Sequence, residues 1–238
     1  MSNVSKFVNQ LKEINNSAAF DCWVPSIGEV IKFRPMSVAQ QQLLINTLSN
    51  NIADNVRTVT VANSILQSNA LTPVELSVSD RDIILLQFKI DDISLSKDNK
   101  DRIIQTIEQL KTTPIEYEKR ATIKQYGIEV NMEIPSLTRD SAVNACFASI
   151  IDKEDAKDQL AKLLAMQIVK FVKSVSIEDE VIEFKLSDAS DFQDLLTIVN
   201  NLPTHLNNAV LLFAKKSMAI YSELTKGLSS LIQSVPTL

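Results

Sequence analysis

Glycine and histidine are scarce in this chain, and their scarcity argues against most familiar catalytic sites. Of the 238 residues, three are glycine and one is histidine. Phosphate-binding loops and dinucleotide-binding turns need glycines that let backbone N–H groups approach the ligand. A histidine-dependent nucleophile would have to use His205, which lies in the predicted first turn of a helix, where a polar ring is unremarkable. Nucleotide-dependent and histidine-dependent catalysis are therefore not expected.

Cysteine is also rare, and long apolar runs are missing. Cys22 and Cys146 lack the paired spacing of a structural zinc site. Without a signal peptide to direct the chain to an oxidising compartment, we expect two buried thiols and no disulfide. No apolar run reaches the roughly 18 residues of a membrane-spanning helix, and no polybasic membrane anchor is present. These features predict a protein that is made and folded in the cytosol.

Positive charge is not concentrated anywhere along the chain. The 24 Lys and Arg residues are outnumbered by 29 Asp and Glu residues, which gives a net charge of −5. A nucleic-acid-binding protein would usually carry a basic stripe to neutralise phosphates, so no nucleic-acid partner is expected. A hydrophobic content of 45% with 5% aromatic residues predicts a folded protein whose core is mainly aliphatic.

What the sequence does contain is a repeated pattern. Residues 26–34, SIGEVIKFR, return as residues 176–185, SIEDEVIEFK, with one extra residue at the turn. Each copy leads into a predicted amphipathic helix, at residues 37–48 and 188–199. A third and weaker instance is the alternating strand 128–134, which ends at Pro135 before another helix. The repeated unit is a hairpin followed by a helix, and it carries no chemistry of its own.

Individual residues predict where several elements begin and end. Gly28 is expected to supply the positive φ of the first hairpin turn. Ser37 and Gln40 have the spacing of a capping box, and Ser79 is expected to cap a later helix. Further strands are predicted over residues 115–125, and long helices over residues 154–175 and 204–226. The fold class predicted is α+β, helix-rich, with short antiparallel β-hairpins that each lead into an amphipathic helix.

Two apolar segments near the ends of the chain are predicted to bind a partner. Residues 1–16 form an amphipathic helix that has no obvious mate within the chain, and packing back on the domain is the alternative. The C-terminal apolar segment either binds a partner or docks on its own domain. The residues predicted to contact a partner are Val4, Phe7, Leu11, Leu228, Leu231 and Ile232.

The domain organisation expected from these elements has three parts. Residues 1–18 form an N-terminal arm, and residues 19–150 form a hairpin–helix domain. Residues 151–238 form a helical region that contains the repeated hairpin–helix unit. Whether the two matching hairpins pack on each other as a pseudo-symmetric pair is left open by the pattern.

Clustered carboxylates are the remaining candidate for a catalytic site, as ligands of a metal ion. The densest groups are Asp91 with Asp92, and the run from Glu178 to Glu180. Either group could hold magnesium for a hydrolase, but solvated acids are also common at helix ends and in hairpin turns. We therefore assign no catalytic, cofactor-binding or metal-binding residue, and we expect no cofactor and no enzymatic activity.

The first hairpin resembles a known family. Residues 19–35, AFDCWVPSIGEVIKFRP, are similar to the opening of the baseplate hub proteins of T-even-type contractile-tailed phages. Residues 80–86, DRDIILL, and residues 128–132, IEVNM, are similar to later segments of that family in the same order. The resemblance covers roughly residues 1–140. The residues that match the family's opening motif are Trp23, Pro25, Gly28, Phe33, Arg34 and Pro35.

The resemblance implies a non-enzymatic component of the phage baseplate hub, or a hub assembly factor, that acts through protein–protein contacts. The implied partners are other baseplate hub or tail proteins, with the tape-measure protein as a further candidate. The implied location is the host cytoplasm during assembly, or the tail baseplate of the virion. The alternative is a transient tail assembly chaperone, for example of the tape-measure protein, that is absent from the virion. A carboxylate-metal hydrolase is the third hypothesis.

Overall fold

The computed structural model describes residues 3–47, 52–91, 95–151, 156–186, 189–226 and 228. The strands are β1 (Phe20–Val24), β2 (Glu29–Phe33), β3 (Arg120–Gln125), β4 (Ile128–Glu133), β5 (Val172–Ile177) and β6 (Glu180–Glu183). The helices are α1 (Asn3–Ser17), α2 (Val38–Thr47), α3 (Ile52–Asn69), α4 (Arg81–Phe88), α5 (Lys97–Thr112), α6 (Leu137–Ile151), α7 (Ala156–Phe171), α8 (Ala189–Asn201) and α9 (Thr204–Met218).

These elements confirm the predicted α+β fold. The hairpins β1–β2, β3–β4 and β5–β6 are each followed by a helix, namely α2, α6 and α8. The first hairpin forms a sheet of two strands, whereas the other two hairpins join as one antiparallel sheet in the order β3-β4-β5-β6. The two hairpins with matching sequences therefore lie in different sheets, and their strands do not pair with each other.

The local signals in the first hairpin and its helix are confirmed. Gly28 has a φ of 73°, in the left-handed region that a residue with a Cβ rarely adopts. The capping box is present with both of its hydrogen bonds. The Ser37 backbone N–H donates to Gln40 Oε1 at 2.9 Å, and the Gln40 N–H donates to Ser37 Oγ at 3.2 Å. Helix α2 nevertheless contains no buried residue, and Val38, Leu43 and Ile45 are exposed.

Two of the predicted helices are too long. The predicted helix 154–175 ends at Phe171, and β5 begins at the next residue. Its last residues leave the helix because Val175 pairs with Val130 of β4, and the β-branched residues of this segment suit a strand. The predicted helix 204–226 ends at Met218, and turns follow over residues 219–226.

Two other local predictions are wrong. The residues before Arg120 do not belong to a strand, so the predicted strands over 115–125 reduce to β3. Ser79 does not cap α4, because Asp80 occupies the position before that helix. The Ser79 hydroxyl contacts the Ser77 hydroxyl instead, and the Asp80 carboxylate accepts hydrogen bonds from the backbone N–H and the hydroxyl of Ser26.

One large core cluster draws on both sheets and most of the helices. The predicted alternation of β4 is confirmed, since Val130 and Met132 are buried while Asn131 lies on the opposite, more exposed face. Strand β4 precedes residue 150 and β5 follows it, yet the two strands pair. The proposed division of the chain at residue 150 stays a prediction. The aromatic residues at the centre of the core are Phe33, Phe147, Phe171, Phe184 and Phe192.

Helix α4 holds the first hairpin in place. The side-chain amide of Gln87 makes the two hydrogen bonds that a neighbouring strand would make with Trp23. Its Oε1 accepts from the Trp23 N–H at 2.8 Å, and its Nε2 donates to the Trp23 carbonyl at 2.9 Å. The ring of Phe88 packs edge-on against Phe20, with ring centroids 4.8 Å apart. The edge of β1 is therefore covered by a side chain.

The guanidinium of Arg139 joins three parts of the fold. It donates to the carbonyl oxygens of Val169 at 2.8 Å, Lys170 at 2.9 Å and Val172 at 2.8 Å, and also to that of Phe184. The first two carbonyls lie in the last turn of α7, where no helical N–H is available to them. The third lies at the start of β5, and the fourth directly follows β6. Arg139 thus fixes the helix-to-strand junction and the end of the neighbouring hairpin relative to α6.

We predict that Arg139→Met lowers the free energy of unfolding by about 3 kcal/mol or more, because several buried carbonyl oxygens lose their donor. Arg139→Lys should recover little of this loss, since one ammonium cannot reproduce the planar fork of a guanidinium. Urea unfolding followed by circular dichroism measures both. Arg120→Met is the matched control, because Arg120 is exposed and its ion pair with Glu133 should contribute only about 0–1 kcal/mol. Equal effects at the two positions would contradict the role given to Arg139.

Candidate interaction surfaces

The strongest candidate for chemistry is a buried ion cluster that lines a cavity of about 220 Å³. Asp140 is its centre: Lys170 Nζ lies 2.7 Å from one carboxylate oxygen, and Arg81 Nη1 lies 3.3 Å from the other. Asn63 Nδ2 donates to that second oxygen at 2.8 Å, and Asn144 Nδ2 donates to it at 3.3 Å. These residues come from α3, α4, α6 and α7, so the cluster joins four helices.

The electrostatics of this cluster indicate a structural role. Burial raises the pKa of Asp140, but the positive charges of Lys170 and Arg81 and the hydrogen bonds from Lys170 and Asn63 outweigh that effect. The pKa of Asp140 therefore lies below its ordinary value. A general acid or base works best with a pKa near the working pH, and its oxygens must be able to reach a substrate. Asp140 is ionised, and the chain itself occupies both of its oxygens.

A second, larger cavity of about 470 Å³ lies between the first hairpin and the four-stranded sheet. Several of its polar groups are also engaged within the chain. Lys119 Nζ donates to the Ser26 carbonyl at 2.6 Å, and Lys173 pairs with Glu133 at 3.4 Å. The pKa of Asp80 is raised, chiefly by burial and despite its hydrogen bonds from Ser26. The contacts of Ser26 with Lys119 and Asp80 attach the turn of the first hairpin to the rest of the fold.

The sequence motifs considered for catalysis lie apart from both cavities. His205 is half-buried in the first turn of α9, and its ring packs edge-on against Tyr126 with centroids 5.2 Å apart. Asp91 is exposed near the end of α4, while Asp92 lies outside the described residues. The acids of residues 178–180 are exposed around the turn between β5 and β6. Among the described residues, no group of three or more His, Cys, Asp or Glu side chains could hold a metal ion.

Helix α1 presents an apolar face to solvent. Its predicted partner-binding residues Val4, Phe7 and Leu11 are 72%, 61% and 48% exposed. Val8 and Ile14 extend the same face and are also exposed, with the spacing that places side chains on one side of a helix. In the described part of the chain, α1 has no extended packing contact with another helix or strand. The amphipathic helix is as predicted, and its apolar side is not covered by the residues that the structure describes.

In the predicted C-terminal partner-binding segment, the one residue that the structure describes is buried. Leu228 is 1% exposed and belongs to a second, smaller core cluster with Ile103, Ile107 and Tyr221. Its side chain therefore packs within the chain, and a role in partner binding stays a prediction. The buried position arises because the turns after α9 bring it against α4 and α5. Leu231 and Ile232 lie outside the described residues.

The six residues of the opening motif position the first hairpin. Phe33 is fully buried, Trp23 is held by Gln87, and Gly28 forms the turn, as described above. Arg34 attaches the end of β2 to α3: its N–H donates to the Asn69 carbonyl at 2.8 Å and its guanidinium to the Ser68 carbonyl at 3.4 Å. Pro35 follows, and its carbonyl accepts from Asn69 Nδ2 at 3.5 Å. Pro25 is half-buried just before the turn.

A family comparison identifies what these hairpins belong to. A model of the T4 bacteriophage base plate protein family matches residues 17–225. The chain belongs to this family. Membership indicates a structural or assembly role in the phage baseplate and contacts with other baseplate proteins, and it confirms the resemblance seen in the first hairpin. No curated protein and no solved structure matches the chain.

Some features of this baseplate-family protein could not be predicted from local sequence patterns, and one of them lies outside the family match. The Asp140 cluster and the Arg139 contacts join residues that are distant in the sequence, so no local sequence pattern predicts them. Helix α1 lies almost entirely before the matched residues. No helix among the described residues is long and apolar enough to cross a membrane.

The Asp140 cluster generates a pH prediction. Because the pKa of Asp140 is lower in the folded protein than its ordinary value of 3.8, its stabilising contribution is present at neutral pH. That contribution should be lost as the pH falls below the ordinary value and through the folded pKa. Asp140→Asn should cost about 3–5 kcal/mol at pH 7, because two buried cations lose their counter-charge.

Urea unfolding at a series of pH values from neutral to acid tests this prediction. Asp140→Asn should lose much less stability than the unmodified protein as the pH is lowered. Glu178→Gln is the matched control, because it removes one negative charge from an exposed position outside the cluster. Parallel stability curves for Asp140→Asn and the unmodified protein would show that Asp140 does not contribute in this way.

Proposed function

We propose that this protein is a non-enzymatic component or assembly factor of the phage baseplate hub, and that α1 is the helix by which it docks on another hub or tail protein. The observation that carries the proposal is the exposed apolar face formed by Val4, Phe7, Val8, Leu11 and Ile14. An amphipathic helix whose apolar face is uncovered is suited to a hydrophobic groove on a partner.

The physical cost of this exposed face supports the proposal. Clustered apolar side chains in water are unfavourable, and such patches usually mark an interaction site. A helix of 15 residues is marginally stable on its own and gains stability when its apolar face is buried. Docking on a partner would therefore bury Phe7 and Leu11 and stabilise the helix in the same step.

The choice of a baseplate partner follows from the family. Members of a baseplate family act among other baseplate proteins, and the family match begins at residue 17, where α1 ends. The fold that the family shares thus does not require α1 to cover its core. An additional helix with an uncovered apolar face suits a contact with a neighbouring hub or tail protein. The tape-measure protein is a further candidate partner.

The charged groups of the interior favour a binding protein over an enzyme. The carboxylate of Asp140 is neutralised by Lys170 and Arg81, and Arg139 is committed to backbone carbonyls. The most polar parts of the interior therefore hold elements together. The same exposed helix would also suit a transient tail assembly chaperone, which would leave before the virion is complete.

Substitutions on the two sides of α1 test the proposal. Phe7→Asp with Leu11→Asp should weaken binding to the hub or tail partner by at least about 30-fold, because buried apolar anchors dominate helix-docking contacts. The free energy of unfolding should stay unchanged, since both side chains are exposed. Asn9→Asp with Gln10→Asp is the matched control, because it introduces the same charge at two exposed polar positions of α1.

The measurement is affinity purification of tagged full-length variants from infected cells, with mass spectrometry of the co-purified proteins. A hub or tail protein should be recovered with the unmodified protein and with the control, and lost with the apolar-face variant. Equal recovery with both variants would reject α1 as the docking helix. Unfolding of the apolar-face variant would show that this face packs within the chain. Mass spectrometry of purified virions separates a permanent hub component from a transient chaperone.

A further inference from the structure

The four-stranded sheet ends in two strands of opposite charge. The sequence of β3, RATIKQ, contains Arg120 and Lys124 and no acid, whereas that of β6, EVIE, contains Glu180 and Glu183 and no base. Among the described strands, β3 pairs only with β4 and β6 pairs only with β5. Each of these strands therefore has an outer edge that is not paired with a strand within the described part of the chain.

The hairpin registers show which backbone groups lie on these outer edges. The turn at residues 178–179 joins Ile177 to Glu180, so these two residues form a hydrogen-bonded pair and the pairs alternate from there. The Phe184 N–H donates to the Lys173 carbonyl at 2.8 Å, as this alternation requires. The backbone N–H groups of Val181 and Glu183 consequently point away from β5. The same reasoning from the turn at residues 126–127 directs the backbone groups of Lys124 and Thr122 away from β4.

The side chains leave the edge of β6 open to a partner. All four residues of β6 are exposed, and Val181 and Ile182 are 63% and 48% exposed. Exposed β-branched residues on an edge strand form a template for pairing with another strand. The first hairpin does not present its β1 edge in this way, because Gln87 covers it. The edge of β6 thus presents apolar side chains and acidic ends, and the carboxylate of Glu183 also pairs with Lys185 just after the strand.

The direction of the strands favours a second copy of the same chain as the partner. Neighbouring strands in the order β3-β4-β5-β6 are antiparallel, so β3 and β6 themselves run in opposite directions. Strand β6 of one copy can therefore pair with β3 of the next copy and continue the antiparallel pattern. In that arrangement Glu180 and Glu183 lie beside a strand that carries Arg120 and Lys124. Within the chain these two cations pair with Glu133 and Glu129 of β4, on the other side of β3.

Pairing of two β6 strands is the alternative between copies. It is also antiparallel, but it places two acidic strands side by side, with four glutamates and no base. Like charges on neighbouring strands are destabilising, whereas opposite charges on them are stabilising. The charges on the two edges therefore select β3 rather than a second β6.

We propose that copies of this protein associate head-to-tail through β6 of one copy and β3 of the next, which extends the antiparallel sheet between subunits. This contact uses two different surfaces, so it generates a closed ring when the rotation between copies permits closure. The proposal goes beyond the docking of α1, because it concerns a different surface and a different partner. Failure of either proposal leaves the other intact.

Sedimentation velocity of the purified full-length chain tests for this association. The sedimentation coefficient should rise with protein concentration, and the association should weaken at high salt because charges at the edges are screened. A chain that remains monomeric up to about 100 µM at low salt would overturn the proposal, since the association free energy would then be weaker than about 5.5 kcal/mol.

Charge reversal identifies the surfaces involved. One variant carries Glu180→Lys with Glu183→Lys, and a second carries Arg120→Glu with Lys124→Glu. Each variant alone should be monomeric, because β3 and β6 then carry charges of the same sign. An equimolar mixture should associate again, since every β6 then finds a β3 of opposite charge on the other variant. Association of either variant alone as strongly as the unmodified protein, or no association in the mixture, would overturn the proposal.

Two further variants keep the test independent of folding and of net charge. Glu29→Lys with Glu223→Lys makes the same change in net charge at exposed positions away from both edges and should associate normally. Val181→Pro removes an N–H that points away from β5, so the hairpin should survive while association is lost. Circular dichroism and thermal unfolding check that each variant is folded. Unchanged association of folded Val181→Pro would exclude strand pairing through β6.

Discussion

Two consecutive residues in the first turn of α6, Arg139 and Asp140, hold the fold together from the inside. The guanidinium of Arg139 satisfies carbonyl oxygens at the end of α7, at the start of β5 and just after β6. The carboxylate of Asp140 joins α6 to α3, α4 and α7 through Asn63, Arg81 and Lys170. A buried cation and a buried anion are tolerated here because each has several partners of its own. The geometry of the sheet and the packing of the helices both depend on these partners.

This arrangement explains why the protein is suited to binding. The most strongly polar groups of the interior are used to join elements, so little chemistry remains available in the cavities. The apolar groups of α1 and the strand edges of β3 and β6, by contrast, are presented at the surface. These surfaces agree with the contacts to other baseplate proteins that membership of the family indicates. Because α1 and the sheet edges are separate surfaces, they can serve different partners.

Local sequence information was sufficient for much of the fold. The capping box of Ser37 and Gln40, the turn glycine Gly28 and the alternation of β4 each depend on residues within a few positions of one another. The α+β class and the family resemblance rest on the same hairpin–helix patterns. The apolar face of α1 was also readable, since helical periodicity shows which side chains lie together. Its exposure was not readable, because only the structure shows that none of the other described elements covers it.

The remaining features required contacts between distant residues. The helical pattern of α7 continues past Phe171 in the sequence, but pairing with β4 converts the next residues to β5. Leu228 resembles an exposed apolar tail, yet the turns after α9 place it in the core. Asp80 and Arg81 look like ordinary residues of a helix start, while their partners Ser26 and Asp140 lie far away in the chain. The sequence by itself therefore determined the hairpins, several of the helix starts and the family. The tertiary structure decided the helix ends, the buried ion partners and the exposed surfaces, because burial and long-range pairing outweigh local preference.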